Sequence, residues 1–174
     1  SLYRQKRYAE AIPYLALHRD QGGKMRPEDF YQLGVVYHAT GKMREAMEAL
    51  NKMSAGKSAV SQAGYYLLGD AYLKEGMNPE ALSAFKAASD MDFDLRLQEE
   101  AFYHFAVLTY STVSPFSKPI EVFQQFLTKY PNSEYKREAN GYLANLYTTS
   151  RDYAKALEAI QATGMASMAM REAY

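Results

Sequence analysis

The chain has 174 residues, with 20 basic and 20 acidic side chains and therefore a formal net charge of zero. This balance lacks the basic excess that contacts with phosphate groups require, so it disfavours a dedicated nucleic-acid-binding protein. The chain also has no cysteine, which excludes disulfides, thiolate zinc sites and cysteine nucleophiles but leaves both the cytoplasm and the periplasm open as compartments.

Small residues recur along the chain in two series. The first series is spaced by 35, 35, 41 and 34 residues and consists of Ala11, Ala46, Ala81, Val122 and Ala156. The second series is spaced by 35, 37 and 38 residues and consists of Gly34, Gly69, Ala106 and Ala144. Because apolar residues fall at helical spacing in both halves of each period, the pattern predicts a two-helix unit present four times, with insertions in loops.

The four predicted units share one order of residue types: an aromatic residue, Leu or Phe followed by Gly or Ala, usually Tyr, a turn, and then Ala with a bulky apolar residue four positions later. The third unit departs most, because Val122 takes the small position and a longer loop, SPFSK, separates its helices. The positions that define this signature are Leu33, Gly34, Tyr37, Ala46, Leu68, Gly69, Tyr72, Ala81, Phe105, Ala106, Leu143, Ala144, Tyr147 and Ala156. The predicted repeats span residues 27–56, 60–92, 97–131 and 135–162, flanked by partial repeats at 1–20 and 164–174.

The recurring small residues predict close packing of the two helices in each unit. A glycine inside a helix costs about 1 kcal/mol relative to alanine, so Gly34 and Gly69 are best explained by another helix that packs directly against them. We expect Ala46 and Ala81 to form the facing notch on the second helix of their units.

Glycine and proline indicate where the helices end and begin. Gly41 and Gly76 are predicted to end first helices as left-handed cap residues. Pro27 and Pro119 are predicted to begin helices, because proline is favoured at the first helical position. Asn78 is predicted to cap the helix that Pro79 begins.

These residues resemble the tetratricopeptide repeat over nearly the whole chain. The resemblance implies an all-α, right-handed superhelical solenoid of antiparallel helix pairs, with about four full repeats and flanking half repeats in a single array over residues 1–174. We expect this array to be part of a longer protein. The segment FQQFLTKYPNSEY (Phe123 to Tyr135) resembles repeats of periplasmic coordinator proteins and outer-membrane assembly lipoproteins of Gram-negative bacteria. That likeness implies a location in the periplasm or cell envelope, while the cytoplasm stays open.

The resemblance further implies that the first helices line a concave groove suited to a peptide or a partner helix. The residues carried onto this groove are Tyr31, Val35, Tyr66, Asp70, Tyr103, Val107 and Asn145, with His38, Leu73, Tyr110 and Thr148 one turn beyond. The alternative is that the tyrosines pack between neighbouring repeats as part of the core. The groove clamp of Lys, Asn and Arg that grips a peptide carboxylate is missing, because Tyr31 and Val35, and then Tyr66 and Asp70, stand at its positions.

No residue pattern indicates catalysis. The histidines His18, His38 and His104 fall in different repeats without the spacing of metal ligands, and we expect no metal and no cofactor. Neither a glycine-rich phosphate loop nor a nucleophile elbow is present in the sequence. RNA-binding helical repeats are disfavoured as well, because the first helices lack basic faces and base-reading polar pairs.

The sequence therefore predicts a protein that is not an enzyme but a protein–protein interaction scaffold. Two alternatives remain open: a regulatory or substrate-recruiting module of a larger enzyme, and a structural spacer in an envelope assembly complex. No stretch approaches the roughly 20 apolar residues of a membrane-spanning helix, so we expect no direct membrane insertion. Met165, Met168 and Met170 predict contacts with a further repeat, or a homo-oligomer that forms through truncated repeat ends.

Overall fold

The computed structural model describes residues 25–53, 56–112 and 118–164, together with positions 10 and 13. These residues form eight helices and no strand, which confirms the predicted all-α class. The helices are α1 (Pro27–Ala39), α2 (Met43–Asn51), α3 (Ala59–Lys74), α4 (Asn78–Ser89), α5 (Leu95–Ser111), α6 (Pro119–Lys129), α7 (Lys136–Thr149) and α8 (Tyr153–Ala162). His18, the loop at 113–117, the methionines after residue 164 and nearly all of the two predicted partial repeats lie outside the described residues.

The chain divides into two compact units, Ser1–Phe102 and Tyr103–Tyr174. We call them unit 1 and unit 2. In unit 1, α1 packs against α2, α3 packs against α4, and α3 also contacts both helices of the preceding pair. In unit 2, α7 packs against α8 and against α6. The described helices therefore alternate between first and second helices of pairs, as the repeat pattern predicts.

Gly34 and Gly69 each lie against the second helix of their own pair. Gly34 and Gly69 are both buried. A Cβ atom on Gly34 would lie 2.5 Å from Leu50 Cδ2, and one on Gly69 would lie 2.9 Å from the Phe85 ring. Leu50 and Phe85 are thus the nearest neighbours of the glycines, and they come one turn after the alanines that were expected to form the notch. Ala46 and Ala81 are themselves fully buried.

The core of unit 1 continues from one repeat to the next. Leu50 of α2 clusters with Leu68 of α3 and Ala84 of α4, and the partly buried rings of Tyr31, Tyr65 and Tyr72 pack against this cluster. In unit 2, Phe123 of α6 stacks on Tyr142 of α7 with ring centroids 5.1 Å apart. The second helices α2 and α6 thus each share an apolar face with the first helix that follows, as expected for stacked helix pairs.

Most of the predicted helix ends are confirmed. Helices α1 and α6 begin at Pro27 and Pro119. Gly41 and Gly76 follow α1 and α3 with φ angles of +77° and +74°, a left-handed conformation that glycine adopts without steric cost. The prediction for Asn78 was wrong: α4 already includes Asn78, and the capping residue is Met77, whose side chain makes no capping hydrogen bond.

A buried glutamine fixes the connection between α4 and α5. Gln62 of α3 is fully buried, and its Nε2 donates hydrogen bonds to the carbonyl oxygens of Met91 (2.8 Å) and Asp94 (3.1 Å). Its Oε1 accepts a hydrogen bond from the Asp94 backbone N–H at 2.8 Å. One side chain thereby satisfies several backbone groups that would otherwise be buried without partners.

Candidate functional site

The first-helix face of unit 1 brings together predicted site residues from two neighbouring helices. We define this face by Tyr31, Val35 and His38 of α1 and by Tyr66, Asp70, Leu73 and Lys74 of α3. Helices α1 and α3 contact each other directly. Val35 and Asp70 are half-buried, and Leu73 is 36% exposed. The face therefore has accessible atoms on a surface that two packed helices hold in place.

A polar network crosses this face from one repeat to the next. The Nε2 atom of His38 lies 2.5 Å from Asp70 Oδ2, and Lys74 Nζ lies 2.7 Å from the same oxygen. Lys74 Nζ is also 3.4 Å from His38 Nε2. One carboxylate oxygen of α3 thus lies within hydrogen-bonding distance of an imidazole nitrogen from α1 and of an ammonium group one helical turn away.

The network changes the acidity of its carboxyl group. Burial raises the pKa of Asp70, but the hydrogen bonds from Lys74 and His38 and the positive charge of these groups outweigh burial and hold the pKa below its ordinary value. Asp70 is therefore ionised at neutral pH. The side chains of Asp70 and Lys74 are 32% and 48% exposed, so a ligand can reach the network.

The two predicted site tyrosines of unit 1 are half-buried and pack against core residues. Tyr31 is half-buried, and its ring packs against the core cluster around Leu50 and beside Gly64 of the next repeat. Tyr66 makes an edge-to-face contact with the Phe85 ring, with centroids 5.6 Å apart. Both tyrosines thus contribute to packing within unit 1 and present only part of their surface.

Unit 2 has a hydrogen bond at equivalent repeat positions. Asn145 Nδ2 of α7 donates to the Tyr110 hydroxyl of α5 at 3.2 Å. Tyr110 occupies the repeat position of His38, and Asn145 occupies that of Asp70. The same pair of positions is therefore joined in both units, by an imidazole and a carboxylate in unit 1 and by a phenol and an amide in unit 2. Val107 is half-buried on α5, one turn before Tyr110.

Tyr103 has a shorter ring-to-ring distance than Tyr66, the other predicted site residue with an aromatic contact described above. Its ring stacks on Tyr135 with centroids 4.2 Å apart and lies 5.8 Å from the Phe126 ring. Burial raises the pKa of Tyr103 to about 12, with further contributions from Tyr142, Glu138 and Tyr135. The hydroxyl is consequently a hydrogen-bond donor throughout the neutral and mildly alkaline range.

These faces offer an ion pair between Asp70 and Lys74, hydrogen-bonding groups and apolar surface. Within residues 25–53, 56–112 and 118–164, no group of three or more His, Asp or Glu side chains is placed to hold a metal ion. His104 lies against the Tyr103 ring, with centroids 6.0 Å apart. None of the described helices is long and apolar enough to cross a membrane.

The two hydrogen-bonded pairs that join neighbouring first helices, His38 with Asp70 and Tyr110 with Asn145, were not predicted from the sequence. Their signal in the sequence is a polar residue at the position of His38 or Tyr110 in one first helix and another at the position of Asp70 or Asn145 in the next first helix. The two separations are 32 and 35 residues. The sequence places both rows of residues on the groove, but it does not show which members meet.

Comparison with known proteins identifies the repeats. The family model described as tetratricopeptide repeat matches residues 30–53 and 63–95, which lie within the first two full repeats predicted at 27–56 and 60–92. No curated protein sequence is significantly similar to the chain.

Solved structures match nearly the whole chain. MamA superposes with a TM-score of 0.71 at 18% identity, over 99% of this chain and 98% of that chain. The ArsTM double mutant of MamA RS-1 gives a TM-score of 0.66 at 20% identity, over 97% and 90% of the two chains. A Podosopora anserina protein of kinesin light chain type with nearly identical TPR-like repeats gives 0.64 at 15% identity, over 97% and 91%. At these identities the likeness shows the fold alone: the chain is built of antiparallel helix pairs as in tetratricopeptide repeat proteins, and the family model itself matches residues 30–53 and 63–95.

Proposed function

We propose that the chain is a non-catalytic interaction scaffold that binds a peptide or a partner helix on its first-helix faces. The network of His38, Asp70 and Lys74 carries the proposal, because it places accessible polar groups across two adjacent first helices. Tetratricopeptide folds are used for protein–protein interaction through such preformed surfaces. A preformed surface lowers the entropic cost of binding, because the scaffold itself does not have to become ordered when the partner binds.

The residues around the network support a partner with both polar and apolar groups. Val35 and Leu73 offer apolar surface on either side of the charged groups. Lys74 and Asp70 already satisfy each other, so a partner gains most by adding hydrogen bonds to the network rather than by neutralising a free charge. The first-helix face of unit 1 therefore fits a peptide with a hydrogen-bonding side chain between two apolar ones.

Unit 2 supports the same proposal with different chemistry. Asn145 is exposed and holds Tyr110 by a neutral hydrogen bond, and the apolar Val107 lies one turn before Tyr110 on α5. The affinity of such a surface for hydrogen-bonding groups should depend little on salt concentration. Salt does weaken interactions between charged groups at the protein surface, because it screens their charges.

Selection from a random peptide library displayed on phage tests the proposal. The bait is the wild-type chain, and the affinity of each enriched peptide is then measured for the wild type and for a Val35→Glu, Asp70→Lys variant. We expect the enriched peptides to bind the wild type and to lose at least roughly tenfold in affinity on the variant, a difference of about 1.4 kcal/mol.

Glu121→Lys on the exposed surface of α6 is the control, because it also replaces an acidic side chain by lysine but lies on a second helix. All variants must retain the wild-type circular dichroism spectrum. Failure to enrich any peptide, or equal binding of the enriched peptides to the groove variant and the wild type, would contradict the proposal and favour a spacer role.

We also propose a bacterial envelope as the setting, on the basis of the likeness of residues 123–135 to envelope proteins. Fractionation of source cells with an antibody against the chain tests this. Recovery of the whole protein in the cytosolic fraction would overturn the setting and leave the binding proposal intact.

A further inference from the structure

An open cleft of about 390 Å³ lies between the two helices of the second repeat and the end of the preceding helix. Its volume falls in the range of about 300–1,000 Å³ typical of ligand sites. The cleft is lined by Asn51 of α2, by Tyr65, Leu68 and Tyr72 of α3, and by Pro79, Glu80, Ser83 and Ala84 of α4. It shares no residue with the first-helix face, so any ligand here would be additional to the proposed groove partner.

Glu80 is the only charged residue among those that line the cleft. It is exposed and makes no ion pair within the described part of the chain. The amide of Asn51 is already bonded to the Tyr72 hydroxyl at 2.9 Å, and the Ser83 hydroxyl donates to the Pro79 carbonyl oxygen at 3.0 Å. An unpaired carboxylate beside two tyrosine rings and apolar surface therefore defines the chemistry of the cleft.

The first repeat has the same residue types without the space. The corresponding cavity there is only about 40 Å³, although Glu45, Leu33 and Tyr37 line it at positions 35 residues before Glu80, Leu68 and Tyr72. In that repeat Glu48 replaces Ser83, and it pairs with Lys52 at 2.7 Å. The open cleft is thus absent from the first repeat. An open cleft of similar volume, about 380 Å³, lies beside Glu121 at the same position of the third repeat, but its lining contains Lys129 and no tyrosine. The tyrosine rings beside an unpaired carboxylate therefore distinguish the cleft of the second repeat.

We propose that this cleft binds an arginine side chain of a partner protein. The aliphatic part of arginine suits the apolar surface of Leu68 and Ala84, since long basic side chains bury their stems while the charged head stays near water. The planar guanidinium stacks on a tyrosine ring and pairs with the Glu80 carboxylate. Arginine fits better than lysine, because a compact ammonium group cannot stack in this way.

Titration of the isotope-labelled chain with N-acetyl-arginine methylamide, followed by NMR, tests the proposal. The matched ligand is the citrulline derivative, which has nearly the same shape and no charge. We expect saturable shifts of the Asn51 and Ser83 amide signals with arginine, and binding of citrulline weaker by roughly fivefold to tenfold, as for a partly exposed charge contact.

Two glutamate variants locate the site. Glu80→Gln should bring the affinity for arginine down to that for citrulline, whereas Glu45→Gln, at the equivalent position beside the small cavity, should leave the preference unchanged. Ser83→Trp should fill the cleft and abolish the binding of both ligands, with helical content checked by circular dichroism.

Several outcomes would overturn the proposal: no saturable shifts, equal binding of arginine and citrulline, an undiminished preference in Glu80→Gln, or shifts that centre on another surface. The peptides selected on the first-helix faces provide a separate readout. Their binding should be unaffected by Glu80→Gln, so failure of the cleft and failure of the groove can be told apart.

Discussion

Units 1 and 2 join the same repeat positions by different chemistry. In unit 1 the pair is His38 and Asp70, reinforced by Lys74, and in unit 2 it is Tyr110 and Asn145. The geometry of stacked first helices brings these positions together in each unit, but the residue types decide whether the contact carries charge. The repeat thus specifies where a first-helix face can make a polar contact, and the individual side chains specify what that contact recognises.

The units also differ in how their helices approach and end. Unit 1 places Gly34 and Gly69 against the second helices of their pairs, while unit 2 has Ala106 and Ala144 at those repeat positions. After α3 the left-handed residue is Gly76, whereas after α7 it is Arg151, with a φ of 63°. Unit 1 therefore follows the repeat pattern more strictly, and unit 2 has substitutions that should carry a measurable cost.

The largest expected effect comes from the side chain that fills the glycine notch. Phe85 is 1% exposed, so Phe85→Ala should lower the free energy of unfolding by about 3–5 kcal/mol through lost burial and the resulting cavity. Urea unfolding followed by circular dichroism measures the change.

Phe93, which is 52% exposed, is the matched control for that experiment. Phe93→Ala should change the unfolding free energy by no more than about 0.5 kcal/mol. Hydrogen exchange should show the effect of Phe85→Ala first in α3 and α4. Equal effects of the two substitutions would mean that the second pair does not pack as described.

The notch itself gives a smaller effect that separates the two units. In Gly69→Ala the new methyl group would meet the buried Phe85 ring, and we expect a net loss of about 1–2 kcal/mol, since overpacking outweighs the gain in helix propensity. In unit 2 the opposite change, Ala144→Gly, should cost about 1 kcal/mol, because there the backbone loses helix propensity without relief of a clash.

A double-mutant cycle checks the cause. If the ring is the obstacle, Gly69→Ala should cost less in a Phe85→Leu background than in the wild type. Additive costs would show that the glycine is required for a different reason.

The helix pairs and most of their ends could be predicted from the sequence, because both depend on local patterns. Apolar spacing reports which side of a helix is buried, and Gly41 or Pro27 acts through its own backbone. Asn78 was misplaced by one position, a shift within which caps and helix boundaries commonly vary.

The contacts between helices could not be predicted in the same way. The pairing of His38 with Asp70 depends on how two helices are rotated against each other and on side-chain rotamers, which a single sequence does not report. Gln62 resembles any polar residue of an exposed helix in the sequence, yet it is fully buried and satisfies a loop far along the chain. The open cleft beside Glu80 depends on the small side chain of Ser83 where the first repeat has Glu48, and a sequence pattern does not report the space that a small residue leaves.

The left-handed residues that follow α3 and α7 allow a further comparison of the two units. Arg151 occupies the position that Gly76 takes in unit 1, and in both cases the next N–H bonds back to the tyrosine carbonyl: Asp152 to Tyr147 at 2.8 Å and Met77 to Tyr72 at 2.9 Å. Arg151→Gly should therefore raise the free energy of unfolding by about 1 kcal/mol, since glycine adopts the left-handed conformation without strain. Gly76→Ala should lower it by a similar amount. Thermal unfolding measures both, and a loss of stability in Arg151→Gly would show that the arginine side chain makes a compensating contact.

The smallest expected effect is a difference in pH response between the units. The depressed pKa of Asp70 means that its contribution to stability is present above the ordinary aspartate pKa and is lost as the pH falls through the lower folded value. Tyr103, with a pKa raised to about 12, behaves in the opposite sense: its contribution is present below the unfolded tyrosine pKa of about 10 and is lost as the pH rises towards 12. Because both groups are partly exposed, each contribution should be under about 1 kcal/mol. Asp70→Asn should flatten the acid side of the stability profile and Tyr103→Phe the alkaline side, each without affecting the other. If either substitution changed both sides, the two units would not titrate independently, and the charged and neutral first-helix faces would have to be treated as one coupled system.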